Sequence, residues 1–95
     1  MSERIRIHCG ERLSIEHVEA LYSEMENALS SEADVELDGG DVHYCDTAGL
    51  QLLVSLRREL QKTSHDVHWL ASSDTLRETS GYLGLCSSLG LSATE

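Results

Sequence analysis

Apolar and polar residues along this chain follow two periods in turn, one of two residues and one of three to four, which predict strands and helices. Near the start, Ile5 and Ile7 alternate with polar residues, and Gly10 ends this predicted strand. Beyond Ser14, apolar residues recur three and four positions apart, as in a helix that buries one face. The apolar positions of this first predicted helix are Ile15, Val18, Leu21, Tyr22, Met25 and Leu29. Its opposite face is acidic and carries Glu16, Glu19, Glu24 and Glu26.

The same change of period is repeated in the middle of the chain. Val35 and Leu37 predict a second strand, which Gly39-Gly40 ends, and the chain can stay extended from there up to Asp46. From Ala48 onward the spacing is again that of a helix with one apolar face. The apolar positions of this second predicted helix are Leu50, Leu53, Val54, Leu56 and Leu60.

A third strand and a third helix complete the pattern. Val67 and Trp69 predict the strand, and Ser72 or Ser73 is expected to cap the helix that follows it. A short C-terminal turn is expected to bury its leucines, which are Leu85, Leu89 and Leu91. Strand and helix alternate three times, which predicts an α/β fold. We expect a small, mostly parallel or mixed sheet of about four strands with helices packed against it.

Length and charge narrow the range of functions. The 95 residues predict one domain, residues 1–95, with a modest apolar core. The formal charge of -10 argues against nucleic acid and anionic membranes as partners, because both require clustered lysine and arginine. No apolar segment approaches the roughly 20 residues that span a bilayer, so direct membrane insertion is not expected. An acidic chain of this kind suits docking onto a basic patch of another protein.

The cysteines indicate the compartment. Cys9, Cys45 and Cys86 are odd in number, widely spaced and set among apolar residues. No CxxC pair occurs, and the residues after Arg4 and Arg6 lack the apolar run of a signal peptide. We therefore expect reduced thiols and a cytoplasmic location.

Metal, cofactor and catalytic motifs are weak. His65 and His68 would place their rings on opposite faces of a strand, and His43, Cys45 and Asp46 have no evident fourth ligand. No nucleophile–base order, phosphate-binding glycine loop or paired carboxylates stand out. The sequence therefore predicts no metal, no cofactor and no enzymatic activity.

The passage from Tyr44 to Gln51, at the start of the second predicted helix, holds the candidate site. Asp46 and Thr47 stand where the first N–H groups of a helix lack partners and its dipole is positive. Thr47 is expected either to cap the helix or to accept phosphate as a switch, and the two roles are compatible. Gly49 is expected to let another chain or a backbone approach closely, or to relieve crowding in the first turn. The candidate partner-binding residues are Tyr44, Asp46, Thr47, Ala48, Gly49, Leu50 and Gln51.

Asp46-Thr47-Ala48-Gly49-Leu50 resembles the Asp-Ser/Thr-Ser/Ala-Gly-Leu string of STAS domains, whose best-known members are bacterial anti-sigma-factor antagonists. The order of the surrounding elements is similar too, and it includes the stretches 69–76 and 82–85. Together these cover roughly residues 4 to 91. The resemblance implies the STAS fold and a non-enzymatic regulatory domain that binds proteins.

In the STAS family the residue after the aspartate is the phosphorylation site, which corresponds to Thr47. The resemblance implies a kinase of the histidine-kinase-like ATPase superfamily, a PP2C-type phosphatase that reverses the reaction, and a partner that binds only the unmodified form. Phosphate adds about -1.5 to -2 charge. Beside Asp46, on an acidic protein, that charge is expected to repel the partner's surface.

Two features depart from the common STAS pattern. STAS domains usually begin with two strands before the first helix, whereas only one is predicted here. Thr47-Ala48 also replaces the usual Ser-Ser or Ser-Thr pair and looks more like chemotaxis-associated and phospholipid-transport STAS proteins. The leading hypothesis is therefore a phosphorylation-switched partner of a kinase or signalling protein, linked to chemotaxis or a two-component system. The alternative is a constitutive accessory subunit that binds the ATPase of a phospholipid-type transporter.

Overall fold

Three parallel strands form the centre of the computed structural model, which describes residues 4–91: β1 (Ile5–His8), β3 (Val35–Gly39) and β5 (Val67–Ser72). β3 lies in the middle. Ile7 pairs with Leu37, and Val35 pairs with Val67, so these apolar side chains share one buried face. The other face carries ion pairs, including Arg4 to Glu36 at 3.4 Å. The predicted mostly parallel α/β fold is confirmed.

A second small sheet contains only β2 (Arg12–Leu13) and β4 (Tyr44–Cys45), again in parallel. The prediction of a single strand before the first helix is therefore wrong, and so is the corresponding departure from the STAS pattern. β2 has two residues, too few to show an alternating pattern in the sequence. Because the pair is parallel, the carboxyl ends of both strands meet at the same edge, and the chain enters the second helix there.

In the described part of the chain, four helices accompany the sheets: α1 (Val18–Ser30), α2 (Thr47–Gln61), α3 (Asp74–Tyr82) and α4 (Cys86–Leu89). α1 begins later than predicted because residues Ile15–His17 form a 3-10 turn. That turn winds three residues per turn, which rotates Ile15 away from the buried face of α1 and leaves it 65% exposed. Ser73, not Ser72, caps α3: its Oγ accepts the N–H of Leu76 at 3.0 Å.

The apolar core lies between the sheets and the helices. α2 contributes most to it, and its buried leucines are Leu50, Leu53, Leu56 and Leu60. Leu89 and Leu91 are buried as predicted. Arg57 of α2 stabilises α4 by donating to the carbonyls of Ser87 and Ser88 at 3.0 and 3.3 Å. Within residues 4–91, no helix combines the length and apolar character that crossing a bilayer requires.

Candidate functional site

Asp46 caps helix α2. Its backbone is extended (φ -126°, ψ 176°), and its Oδ1 accepts the N–H of Gly49 at 2.9 Å. The interpretation of Thr47 as the cap is therefore wrong, because Thr47 is already the first helical residue. The cap role falls to the aspartate, and the threonine hydroxyl one position later is not needed for it.

The second carboxylate oxygen of Asp46 ties α2 to a distant part of the chain. Oδ2 accepts the N–H of Ile15 at 3.1 Å, and the N–H of Asp46 donates to the carbonyl of Leu13 at 3.0 Å. The N–H of Gly49, and then that of Ile15, holds the pKa of Asp46 below its usual value because both bonds favour the charged carboxylate. Asp46 is thus ionised at neutral pH and fixes the start of α2 against the end of β2.

Gly49 is required by a backbone that passes against it. A Cβ at this position would lie 2.4 Å from the carbonyl oxygen of Leu13 and 3.0 Å from the N of Ser14. The expected close approach at Gly49 is confirmed, and the approaching segment is the chain's own β2. Asp46 and Gly49 therefore act together: the hydrogen bonds of Asp46 hold the end of β2 against α2, and the missing side chain of Gly49 leaves room for that backbone.

Thr47 is exposed at the first turn of α2. The N–H groups of a first helical turn have no intrahelical partners, and the dipole there favours negative charge. A hydroxyl at this position is open to a modifying enzyme, and a phosphate on it would stand at the end of the helix that tolerates an anion best.

The other predicted partner-binding residues divide into two groups. Gln51 is exposed and Ala48 is half-buried, while Tyr44 on β4 is 42% exposed. Gly49 and Leu50 are buried, so they shape this surface from below and present no side chain to a partner in this conformation. We call the exposed Tyr44, Thr47 and Gln51, together with the half-buried Ala48, the docking surface.

Sequence reasoning missed Arg12 as a neighbour of this surface. It pairs with Tyr44 across the β2–β4 ladder, and its guanidinium lies 4.3 Å from the centre of the Tyr44 ring. The same side chain is 3.8 Å from Glu16. Without knowledge of β2, nothing in the sequence places Arg12 beside a tyrosine 32 positions away.

The sequence predicted that His65 and His68 lie on opposite faces of a strand, but in the structure both contact the same carboxylate. His65 Nδ1 and His68 Nε2 donate to different oxygens of Asp34, at 3.0 and 2.7 Å. The error arises because His65 precedes β5, so strand alternation does not apply to it. The bond from His68, and then that from His65, keeps the pKa of Asp34 low. Among residues 4–91 no three histidine, cysteine, aspartate or glutamate side chains are grouped so as to hold a metal ion.

The cysteines lie in apolar surroundings. Cys45 is buried, directly before the cap residue of α2. Cys9 is buried as well, and its pKa is raised to about 12, first by burial and then by the nearby charges of Asp38 and Glu24. A thiol with so high a pKa stays protonated and is a poor nucleophile at neutral pH.

A protein-family comparison covers nearly the whole chain. The family described as "Mlab, STAS domain" matches residues 2–89. This stretch contains every element from β1 to α4 and the capped start of α2. Neither the curated proteins nor the solved structures give a significant match. The chain therefore belongs to the STAS family, whose members serve as regulatory or accessory domains.

Proposed function

We propose that this chain is a non-enzymatic cytoplasmic STAS domain whose partner protein binds the docking surface and is released when Thr47 is phosphorylated. One observation supports the switch above all others. Asp46 supplies the cap of α2, so the exposed Thr47 hydroxyl is not needed to cap the helix. A modification there changes the surface and leaves the hydrogen bonds of the cap in place.

The physical argument for release is one of charge. Phosphate would add about -1.5 to -2 to a chain whose formal charge is already -10. The helix itself would not be weakened, because a negative group in its first turn contributes about 0.3–1 kcal/mol of stabilisation. A partner surface packed against Ala48 and Thr47 would meet a bulky, hydrated dianion. The fold then persists while the complex dissociates.

The resemblance of the Asp46–Leu50 passage to anti-sigma-factor antagonists favours a particular class of partner. That partner is a kinase related to the anti-sigma ATPases or a signalling protein, linked to chemotaxis or a two-component system. In this proposal the kinase both recognises and modifies the same surface. A phosphatase restores binding by removing the charge.

A second function is favoured by two observations. Thr47-Ala48 is similar to the pair in phospholipid-transport STAS subunits, and the matching family is described by the name Mlab. Both carboxylate oxygens of Asp46 also accept hydrogen bonds from backbone N–H groups, which stabilises one fixed conformation of the docking surface. The chain would then be a constitutive accessory subunit of an ATP-driven transporter, with Thr47 packed against the ATPase and never modified.

The decisive experiment begins with the partner. Tagged protein is purified from its native cells, and the copurifying ATPase or kinase is identified by mass spectrometry and then produced in pure form. Its affinity is measured by calorimetry for wild type, Thr47→Asp and Ser87→Asp. Ser87 is an exposed hydroxyl residue near the start of α4, and it serves as the matched control. We expect at least a tenfold loss for Thr47→Asp and less than a twofold change for Ser87→Asp.

Incubation of the complex with ATP separates the two functions. The switch requires phosphate on Thr47, found by mass spectrometry, together with dissociation. The accessory subunit requires a complex that survives ATP without modification, tolerates Thr47→Ser and is lost in Thr47→Arg. If the partner bound wild type, Thr47→Asp and Thr47→Arg with equal affinity, the docking surface itself would be refuted.

A further inference from the structure

An apolar strip lies exposed beside the docking surface, on a face that the predicted helix pattern had assigned to the core. Ile15 is 65% exposed and Tyr22 is 51% exposed, although both are large apolar residues. Val18 and Tyr22 stand four positions apart on α1 and are neighbours on one face, and Ile15 lies in the 3-10 turn directly before them. Large apolar side chains left open in a row mark an interaction surface more often than scattered ones do.

The strip borders a groove between α1 and α2. Its lining residues are Val18, Glu19, Tyr22 and Ser23 of α1 and Leu52 of α2. The groove has a volume of about 440 Å³ and is widely open to solvent. This shape admits apolar side chains from another protein segment, as in recognition of a helix in a groove.

The groove lies one helical turn from the docking surface along α2. Leu52 follows Ala48 by four residues on α2, so the two side chains are neighbours on one helical face. The N–H of Ile15 is bonded to Asp46, which fixes the start of the strip to the start of α2. A partner seated on Thr47 and Ala48 therefore reaches the groove within one helical turn.

The charge around the groove is strongly one-sided. No lysine or arginine stands between Arg12 and Arg57, a stretch that includes all of α1 and the first part of α2. Ten of the 17 acidic residues fall in the same stretch, and three of them, Glu19, Glu24 and Glu26, lie on α1. Glu19 lines the groove and Glu26 follows Tyr22 by four positions on α1, and both residues are exposed. Glu16 is already paired with Arg12 at 3.8 Å. The lining of the groove is thus mostly apolar, and the charge beside it on α1 is negative.

We propose that the α1–α2 groove binds a basic amphipathic helix of the partner protein, which places apolar side chains between Tyr22 and Leu52 and lysines or arginines against the glutamates of α1. This inference rests on the proposed function, because the helix belongs to the partner that occupies the docking surface. It adds a second point of attachment and identifies the chemistry of the segment bound there. Basic residues also give the encounter electrostatic guidance that salt weakens.

The first test uses a synthetic probe. An 18-residue helical peptide with leucines on one face and lysines on the other is titrated into ¹⁵N-labelled protein, followed by nuclear magnetic resonance. A second peptide with the same leucines and with glutamates for lysines is the control. We expect shifts centred on Val18, Tyr22 and Leu52 with the basic peptide only. Binding of both peptides alike, or shifts spread over the acidic surface, would overturn the proposal.

Matched variants make the test specific. Tyr22→Ser should weaken the basic peptide at least tenfold, whereas Tyr82→Ser, on α3 and 91% exposed, should change affinity less than twofold. Glu19→Lys should weaken binding at least fivefold, and Glu78→Lys on α3 should have little effect. Thermal melts by circular dichroism check that each variant is folded. Equal losses at the α1 and α3 positions would mean general charge attraction and would refute the groove.

The purified partner separates this inference from the proposed function. If Tyr22→Ser and Glu19→Lys weaken the full complex as Thr47→Asp does, both hold. If Thr47→Asp breaks the complex while the two α1 variants do not, the proposed function stands and the groove inference is wrong. If the α1 variants break the complex and Thr47→Asp does not, the groove is the contact and the docking surface around Thr47 is rejected.

Discussion

The starts of α2 and α3 solve the same problem with different groups. In each, a side chain caps the first turn: Asp46 accepts the N–H of Gly49 at 2.9 Å, and Ser73 accepts that of Leu76 at 3.0 Å. The residue that follows the cap is exposed in both helices, and it is Thr47 in α2 but Asp74 in α3. In α2 the aspartate is the cap and the hydroxyl residue follows it, whereas in α3 the hydroxyl residue is the cap and the aspartate follows it.

That exchange bears directly on the proposed switch. α3 carries a permanent negative charge at its first position, where Asp74 also pairs with Arg77 at 3.1 Å. α2 carries a neutral hydroxyl at the same position, so phosphorylation would place negative charge where α3 always has it. The protein already contains an example of a helix that tolerates an anion there, which makes a conditional anion at Thr47 physically reasonable.

The largest effect is expected from the two glycines. Gly49→Ala should lower the free energy of unfolding by about 3 kcal/mol, because the new Cβ would collide with the Leu13 backbone 2.4 Å away. Gly81→Ala within α3, where a Cβ meets nothing within 4 Å, should instead raise it by up to about 1 kcal/mol. Urea denaturation measures both. A mild effect of Gly49→Ala would show that β2 and α2 are less tightly joined than described.

The caps should differ next. Asp46→Ala is expected to cost about 2 kcal/mol and Ser73→Ala about 1 kcal/mol, since bonds to a charged acceptor are the stronger ones. Asp46→Asn should recover most of the loss, because asparagine is also a good cap. Equal costs for the two alanine variants, measured by urea denaturation, would contradict the account of Asp46 as the stronger joint.

Acid should affect one cap and leave the other unchanged. The folded-state pKa of Asp46 is lowered, so its extra contribution is present above the ordinary aspartate pKa of about 3.9 and is lost as pH falls through the folded value. The stability difference between wild type and Asp46→Asn should therefore shrink below about pH 4. The difference between wild type and Ser73→Ala should stay constant over the same titration, which is followed by chemical denaturation.

The smallest effects concern the first helical positions themselves. Thr47→Asp should stabilise the protein by about 0.3–1 kcal/mol, and Asp74→Thr should destabilise it by a similar amount. Thermal melts at low ionic strength detect such differences, and added salt should reduce both. A Thr47→Asp variant that lost more than about 1 kcal/mol would mean that charge at this position damages the helix, against the account of release without unfolding.

Periodicity in the sequence was enough for the elements that bury a long apolar face. The alternation at Ile5 and Ile7 and the leucine spacing that ends at Leu60 are properties of single segments, and they predict β1 and α2 correctly. The Asp46–Leu50 passage also pointed to the capped, exposed helix start. These features are local, so a local pattern records them.

What the sequence could not supply depends on contacts between distant residues. β2 exists because Leu13 pairs with Cys45, and Asp46 is the cap partly because it also holds Ile15. His65 joins His68 on one carboxylate only because Asp34 stands at the start of the neighbouring strand. Each of these arrangements links positions more than 30 residues apart, which no periodicity within one segment can record.

The purely parallel pairing of the strands has a consequence for how the chain acquires its function. Ile5 pairs with Val35 and Val35 with Val67, so every ladder waits for a long intervening segment to close. The bond from Ile15 to Asp46 spans 31 positions in the same way. A chain emerging from the ribosome therefore cannot form the start of α2 in its final shape until β2 and β4 have met. A partner that binds the docking surface should therefore require β2 and β4 to be paired, so its binding would report that this junction has formed.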